Sequence, residues 1–481
     1  MEFADLEEII YKYRENMISA LKKLVSYESV EGESRPGSPF GEEVAACLEE
    51  ALKISEELGL ETKNYEGYAG AVEIGEGEDL LGILCHLDVV PAGSDWSYPP
   101  FEGVEADGRI YGRGTLDNKG PAVGAIFALK ALKELNIELD KRVRVILGTN
   151  EESGFAGIEY YRENAEIPEL SFSPDAVFPA IHAEKGILIF DLVSEYDNKG
   201  NNSSKTCDSS GEIKLVDIDG GEAPNMVPDR CRARLKGDYD YLRQEVESVN
   251  ERRPEDIRLE LNKGDEFFHL IQYGVAAHGS KPQDGKNAVS YLMAFLDTLN
   301  SVENNLSRFC SSYNELIGLD YQGKNIGCAL KDDVSGNLVF NVGQIKADNN
   351  ESILTVNIRY PVKETAEKIY GRIENKIADH GLKLVKKEHK EPLFVDKDDP
   401  LVETLMRVYN SITGEEAEPI AIGGGTYARS MPKAVAFGPL FPGEAELAHQ
   451  KDEFIKIESL LKNAAIYACA IAELATDTKL E

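Results

Sequence analysis

The stretch Leu80-Leu81-Gly82-Ile83-Leu84-Cys85-His86-Leu87-Asp88-Val89-Val90-Pro91 decides how the rest of the chain is read. It is a continuous apolar run rather than an alternating one, and it closes at a proline, which predicts a strand buried on both faces. Strands of that kind belong to parallel sheets covered by helices. The neighbouring sequence agrees. Residues 4–29 read as an amphipathic helix, with Ile10, Met17, Leu21, Leu24 and Val25 at helical spacing. A Pro/Gly/Ser loop over 34–41 leads into a second helix ending near Leu58. Pro121 marks another helix start, and Ile126, Leu129 and Leu132 share its face. Val143, Val145 and Leu147 form the next strand, followed by Asn150-Glu151-Glu152-Ser153-Gly154 and a further helix. Strand and helix in alternation predict an α/β domain with a mostly parallel sheet.

Beyond Gly186 the texture changes. Strands become alternating, and the polar stretch from Asp197 to Gly211 reads as a mobile loop. A weak repeat follows. Arg232-Ala233-Arg234-Leu235 precedes a helix over 239–249 and a strand over 257–261, and Val356-Asn357-Ile358-Arg359 precedes a helix over 366–378 and a strand over 382–385. Two β-α-β units of one design predict an inserted α+β domain of two similar halves, each a helix layer on an antiparallel sheet. After Pro392 the pattern returns to helix and Gly-rich turn. The expected division is therefore 1–186 and 391–481 as one domain, with 187–390 inserted between them.

The chain has 481 residues, with 86 acidic against 52 basic side chains and a net charge of −34. That acidity argues against nucleic acid and anionic membranes as partners, because phosphate binding needs a basic face. Seven scattered cysteines make no disulfide framework, and no CxxC pair occurs. The acidic Met1-Glu2-Phe3-Ala4-Asp5 start is unlike a signal peptide, and no apolar run approaches the ~20 residues that span a bilayer. The expected location is the cytoplasm.

Seven histidines occur in all, so each can be weighed. His86 and Asp88, two apart at the close of the apolar run, suit either a metal ligand with its supporting carboxylate or a buried His–Asp hydrogen bond. Gly112-Arg113-Gly114-Thr115-Leu116-Asp117-Asn118-Lys119-Gly120-Pro121 is a tight turn with one central carboxylate; it could hold an anion at a helix N-terminus, though without the spacing of a dinucleotide or phosphate loop, and Asp117 as a helix cap is the alternative. Glu151 and Glu152 diverge from one strand end. Buried, they need a positive partner, and one could bind a metal while the other handles a proton; on an exposed loop they carry no meaning. Asp175 ends a short strand, and His449 lies on a loop after Pro439 and Pro442. Open α/β sheets place their sites at such strand ends. Mixed His/carboxylate ligation suits Zn, Mn or Co. His182, His269, His380 and His389 match no catalytic motif and read as core or surface residues.

In order and wording these motifs resemble the dinuclear metallopeptidase family that includes ArgE, DapE, the aminoacylases and the carnosinases, and within it the PepV- and Sapep-type dipeptidases. The resemblance runs from Leu80 to Ile457 and includes the Lys119-Gly120-Pro121 form of the turn that PepV-like members carry. It implies two divalent cations (Zn, with Mn or Co as alternatives). His86 and Asp175 would hold one, Glu152 and His449 the other, and Asp117 both. Glu151 matches the general base acting on a bridging water, and Asp88 the residue that orients His86. The inserted domain matches the family's lid: His278 corresponds to the oxyanion-stabilising histidine, and Asn225, Arg359 and the Gly424 turn to substrate-binding positions. Arg359 as a surface ion pair and Asn225 as a turn residue stand as the alternatives. The implied activity is hydrolysis of dipeptides with a free amino end. The rivals are an N-acyl amino acid deacylase and a non-catalytic metal- or peptide-binding protein. The doubled lid could supply in cis the histidine that dimeric relatives take from a partner subunit, which predicts a monomer.

Overall fold

In a computed structural model, which describes residues 3–195 and 211–476, the chain divides into two compact units. The first comprises Met1–Ala183, Leu393–Ala421 and Gly425–Glu481; the second comprises Glu184–Pro392 and Ile422–Gly424. All of the polar loop read at 197–211 except Gly211 lies outside the described residues.

The first unit is built on a nine-stranded sheet. Its order from one edge is Glu61–Tyr65, Ala69–Ile74, Arg142–Gly148, Leu80–His86, Leu170–Ser173, Ala434–Phe437, Ala180–Glu184 and Leu393–Phe394, with Ile420–Ile422 paired to Ala180–Glu184. The four strands from Arg142–Gly148 to Ala434–Phe437 are parallel; the strands flanking them, Ala69–Ile74 and Ala180–Glu184, pair antiparallel. The parallel character read from the apolar run thus describes the centre of a mixed sheet. Every residue of Leu80–His86 is buried. Leu81, Ile83 and Cys85 point into a core formed with the helices, whereas Leu84 joins Ile146, Ile158, Tyr161 and Tyr427 in a smaller core. Successive side chains on a strand alternate between faces, so an apolar residue at every position is what two covered faces require.

Helices Lys119–Glu134 and Ile457–Ala475 pack against each other in the main core, where a Cβ on Gly124 would stand 3.4 Å from the Tyr467 ring. Both are apolar on nearly all sides, as a helix with no solvent face must be. Three boundaries differ from the sequence reading. The N-terminal segment is two helices, Phe3–Lys12 and Arg14–Val25, rather than one. The helix assigned to Pro121 begins two residues earlier, at Lys119. The strand stops at His86, so His86 and Asp88 do not share a strand face.

The second unit carries an eight-stranded, wholly antiparallel sheet in the order Leu259–Lys263, Phe268–Tyr273, Arg230–Gly237, Ile213–Gly220, Val339–Asp348, Glu351–Tyr360, Gly186–Glu195 and Lys383–Lys390. The two β-α-β units occupy its two halves. In each, a helix (Tyr239–Asn250 or Ala366–Ile377) connects the third strand from the edge to the edge strand, with one antiparallel strand between them. Asp238 and Thr365 cap these helices by accepting from Tyr241 N and Lys368 N. The alternation is visible in Arg230–Gly237, where Cys231, Ala233 and Leu235 are buried and Arg230 and Arg232 are exposed.

Ile83 is fully buried in the central strand. Its replacement by alanine is expected to cost roughly 2–5 kcal/mol. A lowered urea midpoint with an unchanged slope checks this, and an unchanged midpoint contradicts it.

Candidate active site

Parallel strands bring their C-terminal ends to one edge of a sheet, and the loops that leave those ends converge there. Leu80–His86 ends in His86, Arg142–Gly148 leads into Glu151 and Glu152, and Leu170–Ser173 leads into Asp175. Asp117 sits just before helix Lys119–Glu134, and the Asp117–Asn118 peptide bond is cis. His449 arrives on a loop with a positive φ of 63°.

These side chains meet. His86 Nε2 lies 3.0 Å from Asp117 Oδ1 and 3.4 Å from Asp175 Oδ1. His449 Nε2 lies 3.1 Å from Asp117 Oδ2 and 3.0 Å from the Glu152 carboxylate. Asp117 therefore stands between the two imidazoles, one oxygen toward each. The carboxylate oxygens of Asp117 and Glu152 and a His86 nitrogen fall within 4.8 Å of one another. His86 is fully buried, while the His449 side chain is about half exposed (53%).

The proton on His86 is placed by its other nitrogen. Nδ1 lies 3.0 Å from the Asp88 carbonyl oxygen, an acceptor only, so Nδ1 carries a hydrogen and Nε2 is the nitrogen turned toward the cluster. The Asp88 carboxylate is farther from Nδ1, at 3.5 Å, and accepts instead from Glu152 N at 3.0 Å. The residue read as orienting His86 thus does so chiefly through its backbone, and its side chain fastens the Glu152 loop.

Charge accounts for the titration of the cluster. Burial raises the Asp117 carboxyl, but the contacts from His449 and His86 outweigh it and hold this group well below the ordinary range. Asp117 and Glu152 in turn raise His449 to about 10. Burial pushes His86 down, yet Asp117, Asp175 and Asp88 carry it well above its usual value. Burial first, and then Asp175, drive Glu151 well above the ordinary carboxyl range. The clustered acids Asp117, Glu152 and Asp175 thus favour the charged form of two imidazoles. Divalent cations would neutralise the same charge, and the donor set of two imidazoles and three carboxylates fits them.

Several residues that sequence reasoning did not single out hold this arrangement. Asn118 donates to Pro174 O (2.6 Å) and Asp175 Oδ1 (3.2 Å) and accepts from His86 N (3.3 Å). Tyr427 N donates to Asp175 Oδ2 (3.1 Å), and its ring meets that of His86 edge-on at 6.3 Å. Gly148 leaves room for this tyrosine, since a Cβ there would stand 2.1 Å from the hydroxyl. Asn150 accepts from Phe155 N with its carbonyl and from Ala156 N with its side chain, wrapping the loop that carries Glu151 and Glu152. Asn118 and Asn150 stood in quoted motifs, but nothing in a motif distinguishes a residue that binds from one that supports.

The remaining expected site residues belong to the second unit. Met226 pairs with His278 in a short antiparallel ribbon, and Asn225 O accepts from Gly279 N at 2.6 Å, so Asn225 and His278 are neighbours. Ser280 N donates to His278 Nδ1 (3.2 Å), which leaves the hydrogen of the neutral ring on Nε2 of this exposed residue. Asn341 Nδ2 donates to Pro224 O and Met226 O, clamping the backbone on both sides of Asn225. Arg359 is buried at 5% exposure and its Nε donates to Asn357 Oδ1 (3.0 Å), so the surface ion-pair alternative does not hold. At Gly424 a Cβ would meet only Ile422 Cδ1 at 3.6 Å, an ordinary contact; the protein's own packing demands no glycine there. The other four histidines serve elsewhere: His182 contacts Val395 O, His389 the Tyr360 hydroxyl and His380 Ser312, while His269 lies on the strand Phe268–Tyr273.

Residues 82–473 match the family described as Peptidase family M20/M25/M40. The protein named "Putative dipeptidase YtjP" of Bacillus subtilis (strain 168) is 38% identical over 476 residues, covering 97% of this chain and 99% of its own. A Staphylococcus haemolyticus (strain JCSC1435) protein with the same kind of name, SH1171, is 37% identical, covering 98% and 99%. Among solved structures, aminoacylhistidine dipeptidase from Vibrio alginolyticus aligns with a TM-score of 0.57 at 14% identity, covering 96% of both chains. Human carnosine dipeptidase 1 aligns at 0.54 and 15% identity, covering 98% and 99%. These two likenesses speak for the fold. With the family model spanning most of the sequence, the chain belongs to Peptidase family M20/M25/M40 and is a peptide-bond hydrolase.

Proposed function

We propose that this chain is a two-cation dipeptidase acting on dipeptides with a free amino end. The observation that carries the reading is the placement of Asp117, with one carboxylate oxygen toward His86 and the other toward His449. A carboxylate shared in this way suits two adjacent cations, one held by His86 and Asp175 and the other by Glu152 and His449. Dipeptides are favoured because the relatives matched over nearly their whole length carry that name. When bound, the cations would supply Lewis-acid polarisation of the scissile carbonyl and a lowered pKa for water.

The chain's own groups would do the rest. Glu151, raised by burial and by Asp175, takes the proton of the attacking water, holds it on its carboxylate and returns it to the leaving amine. His278 donates its Nε2 hydrogen to the developing oxyanion. Asn225 and Arg359 bind substrate, and Gly424 presents its backbone. Such a base argues against a non-catalytic binding protein, which has no use for one. A monomer is favoured by the edge strand Lys383–Lys390, whose Lys383, Lys386, Lys387 and Lys390 discourage pairing with another sheet edge.

Glu151→Gln is expected to lower kcat by about 10²- to 10⁴-fold while metal content stays normal. Wild-type turnover in that variant refutes the assigned role. After chelation, activity on free dipeptides should vanish and return with Zn, Mn or Co. A panel including N-acetyl and N-succinyl amino acids tests the substrate class, and turnover of the acyl compounds alone overturns the dipeptidase reading. Light scattering should report the mass of one chain; twice that mass contradicts the monomer.

A further inference from the structure

Below the shared carboxylate lies an ion pair for which the cluster chemistry has no use. Arg113 NH1 donates to Glu453 Oε2 at 2.6 Å, and the two side chains are 2% and 0% exposed. Taking two charges out of water is costly, and well-packed apolar residues of similar size often stabilise a fold equally well. What an ion pair adds over apolar packing is direction, and here its hydrogen bonds run to the segments that carry Asp117 and His449.

Glu453 Oε1 accepts from two successive backbone groups, Leu116 N at 2.9 Å and Asp117 N at 3.2 Å. Its own backbone carbonyl accepts from Gly112 N at 2.9 Å, so it holds the Gly112–Asp117 turn at both ends. Arg113, part of that turn, reaches back and donates to Gln450 O at 3.2 Å, the carbonyl next in sequence to His449. The guanidinium is backed by the Trp96 ring at 5.2 Å. The pair thus ties the turn carrying Asp117 to the loop carrying His449, whose imidazole stands 3.1 Å from Asp117 Oδ2.

The other side of the cluster has further supports. His86 ends a buried strand, and Asp175 is fixed by Asn118 Nδ2 and Tyr427 N. His449 sits on a loop, at a φ of 63°, that Asp452 also anchors by accepting from Ser97 N, and its side chain is about half exposed. Losing the ion pair would therefore loosen Asp117 toward both positions and His449 toward one, so the Glu152/His449 side loses more.

We propose that the buried Arg113–Glu453 ion pair is a positioning unit that joins the Asp117 turn to the His449 loop and sets the affinity of the Glu152/His449 cation position, contributing no ligand itself. The inference rests on the two-cation reading above. Its test is metal binding in the full-length chain. Chelated protein is titrated with Co²⁺, followed by visible absorption and calorimetry, for the wild type, for Arg113→Met/Glu453→Leu, which strands no buried charge, and for Glu453→Gln, which keeps the acceptor for Leu116 N and Asp117 N. His449→Ala serves as the reference that identifies the Glu152/His449 ion.

The expected result is that the double variant keeps the wild-type circular dichroism and binds the Glu152/His449 ion about 10- to 100-fold more weakly. The other ion, which depends on the pair only through the shared Asp117, should weaken several-fold less, and Glu453→Gln should fall between the wild type and the double variant. The proposal is overturned if the folded variants bind both ions as the wild type does, if both ions weaken alike, or if neither variant folds. If only Glu453→Gln folds, the same comparison is made on that variant. A wild type that takes a single Co²⁺ refutes the two-cation reading instead. The pair is then judged on that ion: weaker binding in the variants sustains it, and unchanged binding ends it.

Discussion

Mutual repulsion among carboxylates governs this structure. Asp117, Glu152 and Asp175 are drawn to one edge of a sheet with Glu151 beside them, and such a cluster persists only where positive charge compensates it. Two imidazoles provide that compensation in the polypeptide itself, and the raised His449 and depressed Asp117 are its signature. The surrounding architecture serves to hold like charges together at distances they would not choose.

The scaffold meets that demand by making the strands rigid and the loops over-determined. A strand buried on both faces cannot slip, because a one-residue shift would exchange its two apolar faces, and His86 inherits that fixity. The loops gain theirs from single residues that make several hydrogen bonds. Asn118 joins His86 to Asp175, Asp88 joins the His86 segment to Glu152, and Glu453 joins the Asp117 turn to the His449 loop. In the second unit Asn341 plays the corresponding part, gripping the chain on either side of Asn225. The supporting polar groups are on the whole more buried than the groups they support, which keeps their hydrogen bonds out of competition with water.

The two halves of the second unit are alike in sheet order but not in chain order. The strand lying between helix-connected neighbours follows its half in one case, Phe268–Tyr273, and precedes its half in the other, Gly186–Glu195. A search for repeats along the sequence sees the shared β-α-β segment and misses the strand that lies between its two strands, because hydrogen bonding to a neighbour is indifferent to where in the chain that neighbour arises.

By itself, the sequence determined the α/β class, through the unbroken apolar run at Leu80 and the alternation that replaces it beyond Gly186. It also presented the polar residues at strand ends, since a carboxylate or imidazole closing an apolar strand is chemically conspicuous. Only the tertiary structure decided which of these meet and which merely support. That Asp88 reaches His86 through its carbonyl, that Arg359 is buried against Asn357, and that Glu453 sits beneath Asp117 all depend on contacts between distant segments, the last across 336 positions of sequence. Local pattern reports what a residue is and which face it occupies. The orientation of a hydrogen bond is set by the partner, and the partner is supplied by folding.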